Sequence, residues 1–310
     1  MRKFLALLAL SLVTTLPPLL VAGEAPKTKG PGKGGMPPLP PGVTVRRDIT
    51  YVKGGHERQK LDLYLPANAK DLPLVVWIHG GGWQNGSKER TQALPLLTRG
   101  YAVASINYRL SSHGVFPAQI EDCKAAIRWL RAQAKENGYD GGRIGVWGSS
   151  AGGHLVAMLG VTGEVKEFDR GENAGVSSRV QAVVDFFGPT ELHMMDAQST
   201  AVSRMKHNAP DSPEAKLIGG PLQENKDKAR RASPLMYVTR DDAPILIVHG
   251  DSDPLVPVAQ SETFFSALKE SGVDASLYIV KGGGHGGFTD PEVNRQVFAF
   301  FDRTLQAKRE

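Results

Sequence analysis

Six runs of apolar residues recur along most of the chain, and each is short enough to be a buried strand. Between them lie stretches whose apolar residues return every three or four positions, the spacing of a helix with one buried face. Strand-like runs that alternate with helical stretches are typical of βαβ units. The pattern therefore predicts an α/β protein with strands at 74–78, 101–106, 143–147, 180–187, 244–248 and 275–280.

The clearest helical stretch begins at Pro117, a residue that suits the first turn of a helix, and ends at Asn137-Gly138. Asp122, next to its apolar stripe, is interpreted as a brace for the Tyr108-Arg109 turn or a nearby glycine loop; the alternative is an ordinary exposed carboxylate. The stripe predicted to pack on the sheet consists of Ile120, Cys123, Ile127 and Leu130.

The pentapeptide Gly148-Ser149-Ser150-Ala151-Gly152 stands between a predicted strand and a predicted helix at 153–159. Glycines at both ends allow a sharp turn that exposes the central hydroxyl in a strained conformation, as in a nucleophile elbow. Ser150 is therefore the predicted nucleophile. The alternative is a glycine- and serine-rich turn without chemistry, because such short patterns recur by accident.

A serine hydroxyl attacks poorly at neutral pH, so this hypothesis requires a histidine base, a carboxylate and donors for an oxyanion. Three loops that follow predicted strands carry such groups. His79-Gly80-Gly81-Gly82-Trp83 follows the first of the six runs, and Asp251-Ser252-Asp253 follows the fifth. His285 lies in a glycine-rich stretch after the last run, although a surface histidine is the alternative there.

Together these segments resemble the α/β-hydrolase superfamily, and in particular its HGGGW-type esterases: feruloyl or acetyl-xylan esterases and hormone-sensitive-lipase-like carboxylesterases. The resemblance covers roughly residues 43–307 and implies an α/β-hydrolase fold, a mostly parallel central sheet with helices on both faces and a small cap insertion at 188–242. Further segments that carry it are 107–110, 116–119, 125–130 and 212–217.

The resemblance implies a catalytic triad in the chain order serine, acid, histidine. Ser150 is then the nucleophile and His285 the general base. Asp253 is the implied acid because it lies three residues after Gly250 and ahead of a Val-Pro pair, a position that Asp251 does not match. Asp251 is interpreted as a turn-forming residue.

By the same resemblance, the oxyanion hole consists of the backbone amides of Gly81, Gly82 and Ala151. Trp83, directly after the glycine loop, is predicted to line the acyl side of the substrate pocket, unless it only packs beneath it. His79 and His154 are interpreted as structural residues, which hydrogen-bond and pack without taking part in the reaction.

The insertion at 188–242 contains polarizable and titratable residues that either line a substrate pocket or simply pack. His193, His207 and Asp196 are too irregularly spaced for a recognisable ligand motif, so no metal is predicted, and the chemistry needs no cofactor. The residues considered for the pocket are Met194, Met195, Met205, His193 and His207.

The N-terminal residues 1–25 have a basic start, an apolar stretch and small residues, which predicts a cleaved signal peptide and export. A transmembrane anchor is the alternative, but prolines and threonines interrupt the apolar part, so no stable membrane anchor is expected. Residues 26–42, rich in Pro, Gly and Lys, predict a disordered linker before a hydrolase domain at 43–310. The linker explains part of the net charge of +5, so that charge does not indicate nucleic-acid binding.

The function predicted from the sequence is that of a secreted serine carboxylic-ester hydrolase. Its expected substrates are short-acyl or hydroxycinnamoyl esters, either small molecules or groups linked to plant polysaccharide. Two alternatives remain open: a serine peptidase of the prolyl-oligopeptidase type and a non-catalytic binding protein of the same fold. The oligomeric state is left open.

Overall fold

The structure is a computed structural model in which residues 38–306 are described. The predicted signal peptide and most of the predicted linker lie outside this range. Within it, no helix is long and apolar enough to cross a membrane.

The described residues form one eight-stranded sheet in the order β1-β2-β4-β3-β5-β6-β7-β8. β1 and β2 run antiparallel to their neighbours, and all later pairs are parallel. All six predicted strands are confirmed, whereas β1 and β2 were not predicted. The strands are β1 Thr44–Thr50, β2 Lys60–Leu65, β3 Leu72–Ile78, β4 Ala102–Ile106, β5 Tyr139–Ser149, β6 Ala182–Phe186, β7 Ile245–Gly250 and β8 Ala275–Val280.

Helices connect the parallel strands. The predicted helix after Pro117 is confirmed and its stripe, including Cys123, is buried, but it ends at Ala132 and not at Asn137-Gly138. Ser212 and Asp290 cap two others by accepting hydrogen bonds from backbone N–H groups, each followed by a proline in the first turn. The α-helices are α1 Ala118–Ala132, α2 Ala151–Val161, α3 Pro213–Ile218, α4 Lys226–Arg231, α5 Ala259–Glu270 and α6 Pro291–Phe301.

Alternation along β5 gives the sheet two buried faces, as the predicted fold requires. Val146 belongs to the core cluster that contains the buried residues of α1 and α2. Its neighbour Trp147 points to the opposite face, where its ring lies 5.5 Å from that of Trp77 and 6.4 Å from Phe301 of α6. Helices therefore cover both faces of the sheet.

Strand register places the ends of several strands at one edge of the sheet. Ser149 at the end of β5 pairs with Phe186, which pairs with Val248, which in turn pairs with Tyr278. The loops that follow β5, β7 and β8 therefore start from one edge, the usual position of a site in this architecture.

Asp122 on α1 is buried and braces the turn at Arg109, as the first interpretation expected; the alternative of an exposed carboxylate is wrong. Its oxygens accept hydrogen bonds from the backbone N–H of Arg109 at 2.8 Å and from the guanidinium at 2.7 Å. Gln59 donates another at 2.7 Å. This network fixes the segment next to the glycine loop.

Candidate active site

Ser150 occupies a strained turn between β5 and α2, with φ 56° and ψ −123°. The turn is possible only with glycine on both sides. A Cβ at Gly148 would lie 2.3 Å from the carbonyl oxygen of Gly152, and one at Gly152 would lie 2.1 Å from that of Ile78. The close approach of strand and helix therefore explains both glycines, and it presents the Ser150 hydroxyl at the edge of the sheet.

The structure brings Ser150, His285 and Asp253 together in one chain of hydrogen bonds. His285 Nε2 lies 2.9 Å from Ser150 Oγ, and His285 Nδ1 lies 2.7 Å from Asp253 Oδ2. The Asp253 side chain is fully buried, whereas the His285 side chain keeps 18% of its surface exposed. The arrangement has the geometry of a nucleophile, a base and an orienting acid.

The turn after β7 holds Asp253 in its ionised form. Its Oδ1 accepts the backbone N–H groups of Leu255 at 2.8 Å and Val256 at 3.0 Å. Burial alone would raise the pKa of Asp253, but hydrogen bonds with His249 and His285 outweigh it and hold that pKa well below its usual range. His249 was not singled out from the sequence, although a histidine in an otherwise apolar strand was a usable signal.

Asp251 lies outside this chain of hydrogen bonds. Its Oδ1 accepts the backbone N–H of Gly282 at 2.7 Å and the hydroxyl of Ser252 at 3.1 Å. It therefore ties the turn after β7 to the loop that carries His285, which fits the structural role expected for it.

The residues expected to form the oxyanion hole, Gly81, Gly82 and Ala151, all border the cavity that contains Ser150. Gly81 and Gly82 have φ values of 105° and 58°, a region that favours glycine. Within residues 38–306, none of the three backbone N–H groups donates a hydrogen bond. Free donors next to the nucleophile are what an oxyanion requires.

His79 braces the base of the glycine loop. Its ring stacks on Tyr108 with the centroids 4.5 Å apart, and its Nδ1 lies 2.8 Å from the carbonyl oxygen of Gly80. Arg58 reaches its Nε2 at 3.2 Å. Burial lowers the pKa of His79 to about 4, and the neighbouring Arg58 adds to this effect. These contacts match the structural role expected for His79.

Trp83 borders the cavity but has only 1% of its surface exposed. Its indole N–H donates to Nδ1 of His154 at 3.2 Å, and His154 Nε2 donates to the carbonyl oxygen of Ala232 at 2.7 Å. Most of the Trp83 side chain therefore packs beneath the loop, and a role on the acyl side stays a prediction. His154, fully buried, has the packing role expected for it.

The cavity has a volume of about 490 Å³, in the range of small-molecule sites. A groove of about 940 Å³ lies at the opposite ends of the strands and contains none of the candidate catalytic groups. Of the five residues considered for the pocket, Met205 borders the cavity, while Met195 and His207 are buried away from it. Its other lining residues include Gln84, Asn85, Gln92, Phe187, Pro189, Pro213, Glu214, Leu255 and Val256.

Glu214, at the start of α3, is a buried residue that borders the cavity, and it was not identified as a site residue from the sequence. Its Oε1 lies 3.2 Å from His207 Nδ1, while its Oε2 has no hydrogen-bond partner in the described part of the chain. Asp196 instead accepts the backbone N–H groups of His207 and Asn208. No group of three metal-ligating side chains occurs among residues 38–306.

This fold, with a strained serine at the end of the fifth strand and an acid–histidine pair on later loops, is that of an α/β-hydrolase. The chain belongs to the BD-FAE family, which it matches over residues 61–268. The expected family of esterases is thereby confirmed.

Among relatives, "Esterase LipC" of Mycobacterium tuberculosis is 32% identical over 248 residues, which cover 78% of this chain and 59% of LipC. The chain thus spans less than two thirds of that relative. A solved structure named "Truncated form of carbohydrate esterase from gut microbiota" superposes with a TM-score of 0.79 at 36% identity, covering 85% of this chain and 96% of that one. An acetyl ester-xyloside bifunctional hydrolase from Caldicellulosiruptor lactoaceticus superposes with a TM-score of 0.67 at 27% identity, with coverages of 79% and 87%.

Proposed function

We propose that the protein is a serine carboxylic-ester hydrolase that works through an acyl-enzyme on Ser150. The observation that carries this proposal is the continuous chain of hydrogen bonds from Ser150 Oγ through His285 to Asp253. Membership of an esterase family supports the same reaction.

In the first half of the reaction, Ser150 Oγ attacks the ester carbonyl carbon while His285 Nε2 takes the hydroxyl proton. The C–O bond to the alcohol then breaks, and the alcohol leaves with the proton returned by His285. In the second half, water attacks the acyl-enzyme with His285 again as base, which releases the acid and restores Ser150. Asp253 keeps the imidazole oriented and stabilises its charge throughout.

The negative charge on the carbonyl oxygen is assigned to the backbone amides of Gly81, Gly82 and Ala151. These amides have no other acceptor in residues 38–306, and the Ala151 amide also lies at the N-terminus of α2, whose dipole favours an anion. Each such donor is worth about 3 kcal/mol of transition-state stabilisation.

The substrates we propose are short-acyl or hydroxycinnamoyl esters of hydroxyl-rich compounds such as plant polysaccharide. The carbohydrate esterase and the acetyl ester-xyloside hydrolase among similar structures support this choice. The cavity adds a second argument, because Phe187, Met205 and Leu255 offer an apolar part.

The signal-like segment at 1–25 supports export of the mature enzyme, which suits a substrate outside the cell. Export is tested separately by fractionation of the source cells and N-terminal sequencing. A mature N-terminus near residues 22–25 would support it, and retention of the intact leader in the cytoplasm would contradict it.

Substrate class is tested by a panel of p-nitrophenyl acetate, p-nitrophenyl octanoate, methyl ferulate, acetylated xylo-oligosaccharides and a proline-containing peptide amide. Wild type is compared with Ser150→Ala and with the adjacent Ser149→Ala. We expect release of acetate or ferulate that Ser149→Ala retains and Ser150→Ala loses. Cleavage of the peptide alone would favour a peptidase, and silence on every substrate would favour a binding protein.

A further inference from the structure

A second histidine contacts the acid of the proposed triad. His249, on β7, places its Nε2 3.3 Å from Asp253 Oδ2, the same oxygen that binds His285 at 2.7 Å. The side chains of His249 and Asp253 are both fully buried. One carboxylate oxygen therefore faces two imidazoles, and only that of His285 reaches Ser150.

The partners of His249 indicate which ring nitrogen carries the hydrogen. Nε2 lies 3.0 Å from the carbonyl oxygen of Val256, which can only accept, so Nε2 is the donor. Nδ1 lies 2.7 Å from Ser261 Oγ on α5, and that hydroxyl can donate to it. In this tautomer the Nε2 hydrogen lies next to both the Val256 carbonyl and Asp253 Oδ2.

The contacts leave Asp253 with one favoured orientation. Backbone amides of Leu255 and Val256 occupy Oδ1, and the two imidazoles occupy Oδ2. The buried carboxyl of Asp185 on β6 also interacts electrostatically with His249. Rotation of the Asp253 carboxylate would break several of these hydrogen bonds at once, inside a region where unpaired polar groups are costly.

We propose that His249, itself held by Ser261, is a positioning residue that fixes the orientation and charge of the Asp253 carboxylate toward His285. The proposal rests on the proposed ester-hydrolase function. His249 does not border the cavity, so it acts through Asp253 and not through substrate contact.

Loss of the His249 Nε2 donor should shift the pH profile of kcat/KM in a direction that can be measured. A carboxylate that receives fewer hydrogen bonds attracts a neighbouring proton more strongly. The acid limb of the kcat/KM profile, which reports proton uptake by the hydrogen-bonded chain of Ser150, His285 and Asp253, would then move to higher pH. Looser orientation of the acid would also lower kcat by a larger factor than it changes KM, because His249 itself does not border the cavity.

The experiment compares wild type with His249→Phe, His249→Gln and Ser261→Ala on p-nitrophenyl acetate from pH 5 to 9, with rates expressed per fluorophosphonate-titrated site. For His249→Phe we expect kcat to fall between ~10- and ~100-fold and the acid limb to move up by roughly half a unit or more. His249→Gln, whose side-chain N–H₂ can replace the Nε2 donor, should restore the wild-type acid limb. Ser261→Ala should move the acid limb in the same direction as His249→Phe, but by a smaller amount.

The matched control is Phe264→Leu. Phe264 is a buried core residue on the same helix as Ser261, and its side chain cannot form a hydrogen bond. This substitution should lower thermal stability without moving the pH profile. If His249→Phe shows the kcat and pH profile of Phe264→Leu, the proposal is overturned. Should His249→Phe fail to fold, a wild-type profile in Ser261→Ala overturns it instead. Loss of the proposed function would appear differently, as wild-type activity that does not depend on Ser150.

Discussion

The indole N–H of Trp83 donates to Nδ1 of His154, and this hydrogen bond joins the glycine loop to the helix that follows the nucleophile turn. His154 in turn donates from Nε2 to the carbonyl oxygen of Ala232 in the segment that contributes part of the cavity wall. One buried imidazole therefore links three parts of the chain that surround the site. Because it accepts at one nitrogen and donates at the other, this link requires the neutral ring.

Stability should fall as the pH falls from about 6.5 toward 4. Burial lowers the pKa of both His154 and His79 from 6.5 to about 4, so the unfolded chain binds these protons first. The expected slope is at most ~1.4 kcal/mol per pH unit for each histidine. Urea unfolding across this range measures it, and His154→Gln should reduce the slope. An unchanged slope in that variant would contradict the assignment.

Asp185 should change the stability with pH in the direction opposite to that of His154 and His79. Burial raises its pKa from 3.8 to about 6, although the backbone N–H of Gly188 and the neighbouring His249 oppose the shift, and its Oδ2 has no partner in the described residues. The folded state therefore binds this proton more tightly, and the stabilisation is lost as pH rises through 6.

Asp185→Asn keeps the oxygen that accepts from Gly188 and removes the charge. Relative to wild type, its free energy of unfolding should rise between pH 4 and pH 8 by up to ~3 kcal/mol. Urea titrations at both pH values measure the free energy of unfolding of the two proteins. A difference between the two proteins that does not change with pH would show that Asp185 does not ionise in this range.

Gly81→Ala should lower kcat by ~10²- to 10³-fold. An added Cβ would lie 2.4 Å from the carbonyl oxygen of Asn85, so the loop must shift and its amides must leave the oxyanion position. Gly100→Ala is the matched control, since Gly100 also has a positive φ, of 82°, but open space around it. The control should cost ~1–2 kcal/mol of stability with kcat unchanged. Equal kcat values in both variants would show that Gly81 is not part of the oxyanion hole.

The sequence was sufficient where one local pattern dictates one structure. The turn at Ser150 and the loops after the fifth and sixth predicted strands were located correctly because parallel strands bring their ends to one edge. The strands at 44–50 and 60–65 were missed. The first is the outermost strand of the sheet and is mostly exposed, so its polar sequence has no apolar run to detect.

Contacts that depend on the path of a loop could not be predicted from the sequence. The pairing of His249 with Asp253 and Ser261 depends on how the turn after β7 folds back on its own strand. Likewise, Glu214 reaches the cavity wall because of the path taken by the long segment before β7. Neither path follows from local propensity, since loop geometry is set by tertiary packing.

In the proposed reaction, Ser150 carries the acyl group during turnover. The most direct test reacts the protein with p-nitrophenyl acetate under rapid acid quench and maps the acetylated peptide by mass spectrometry, with Ser150→Ala in parallel. We expect a pre-steady-state burst and an acetyl group on Ser150 in wild type, with neither in the variant. An acetyl group on another residue, or full turnover by Ser150→Ala, would contradict it.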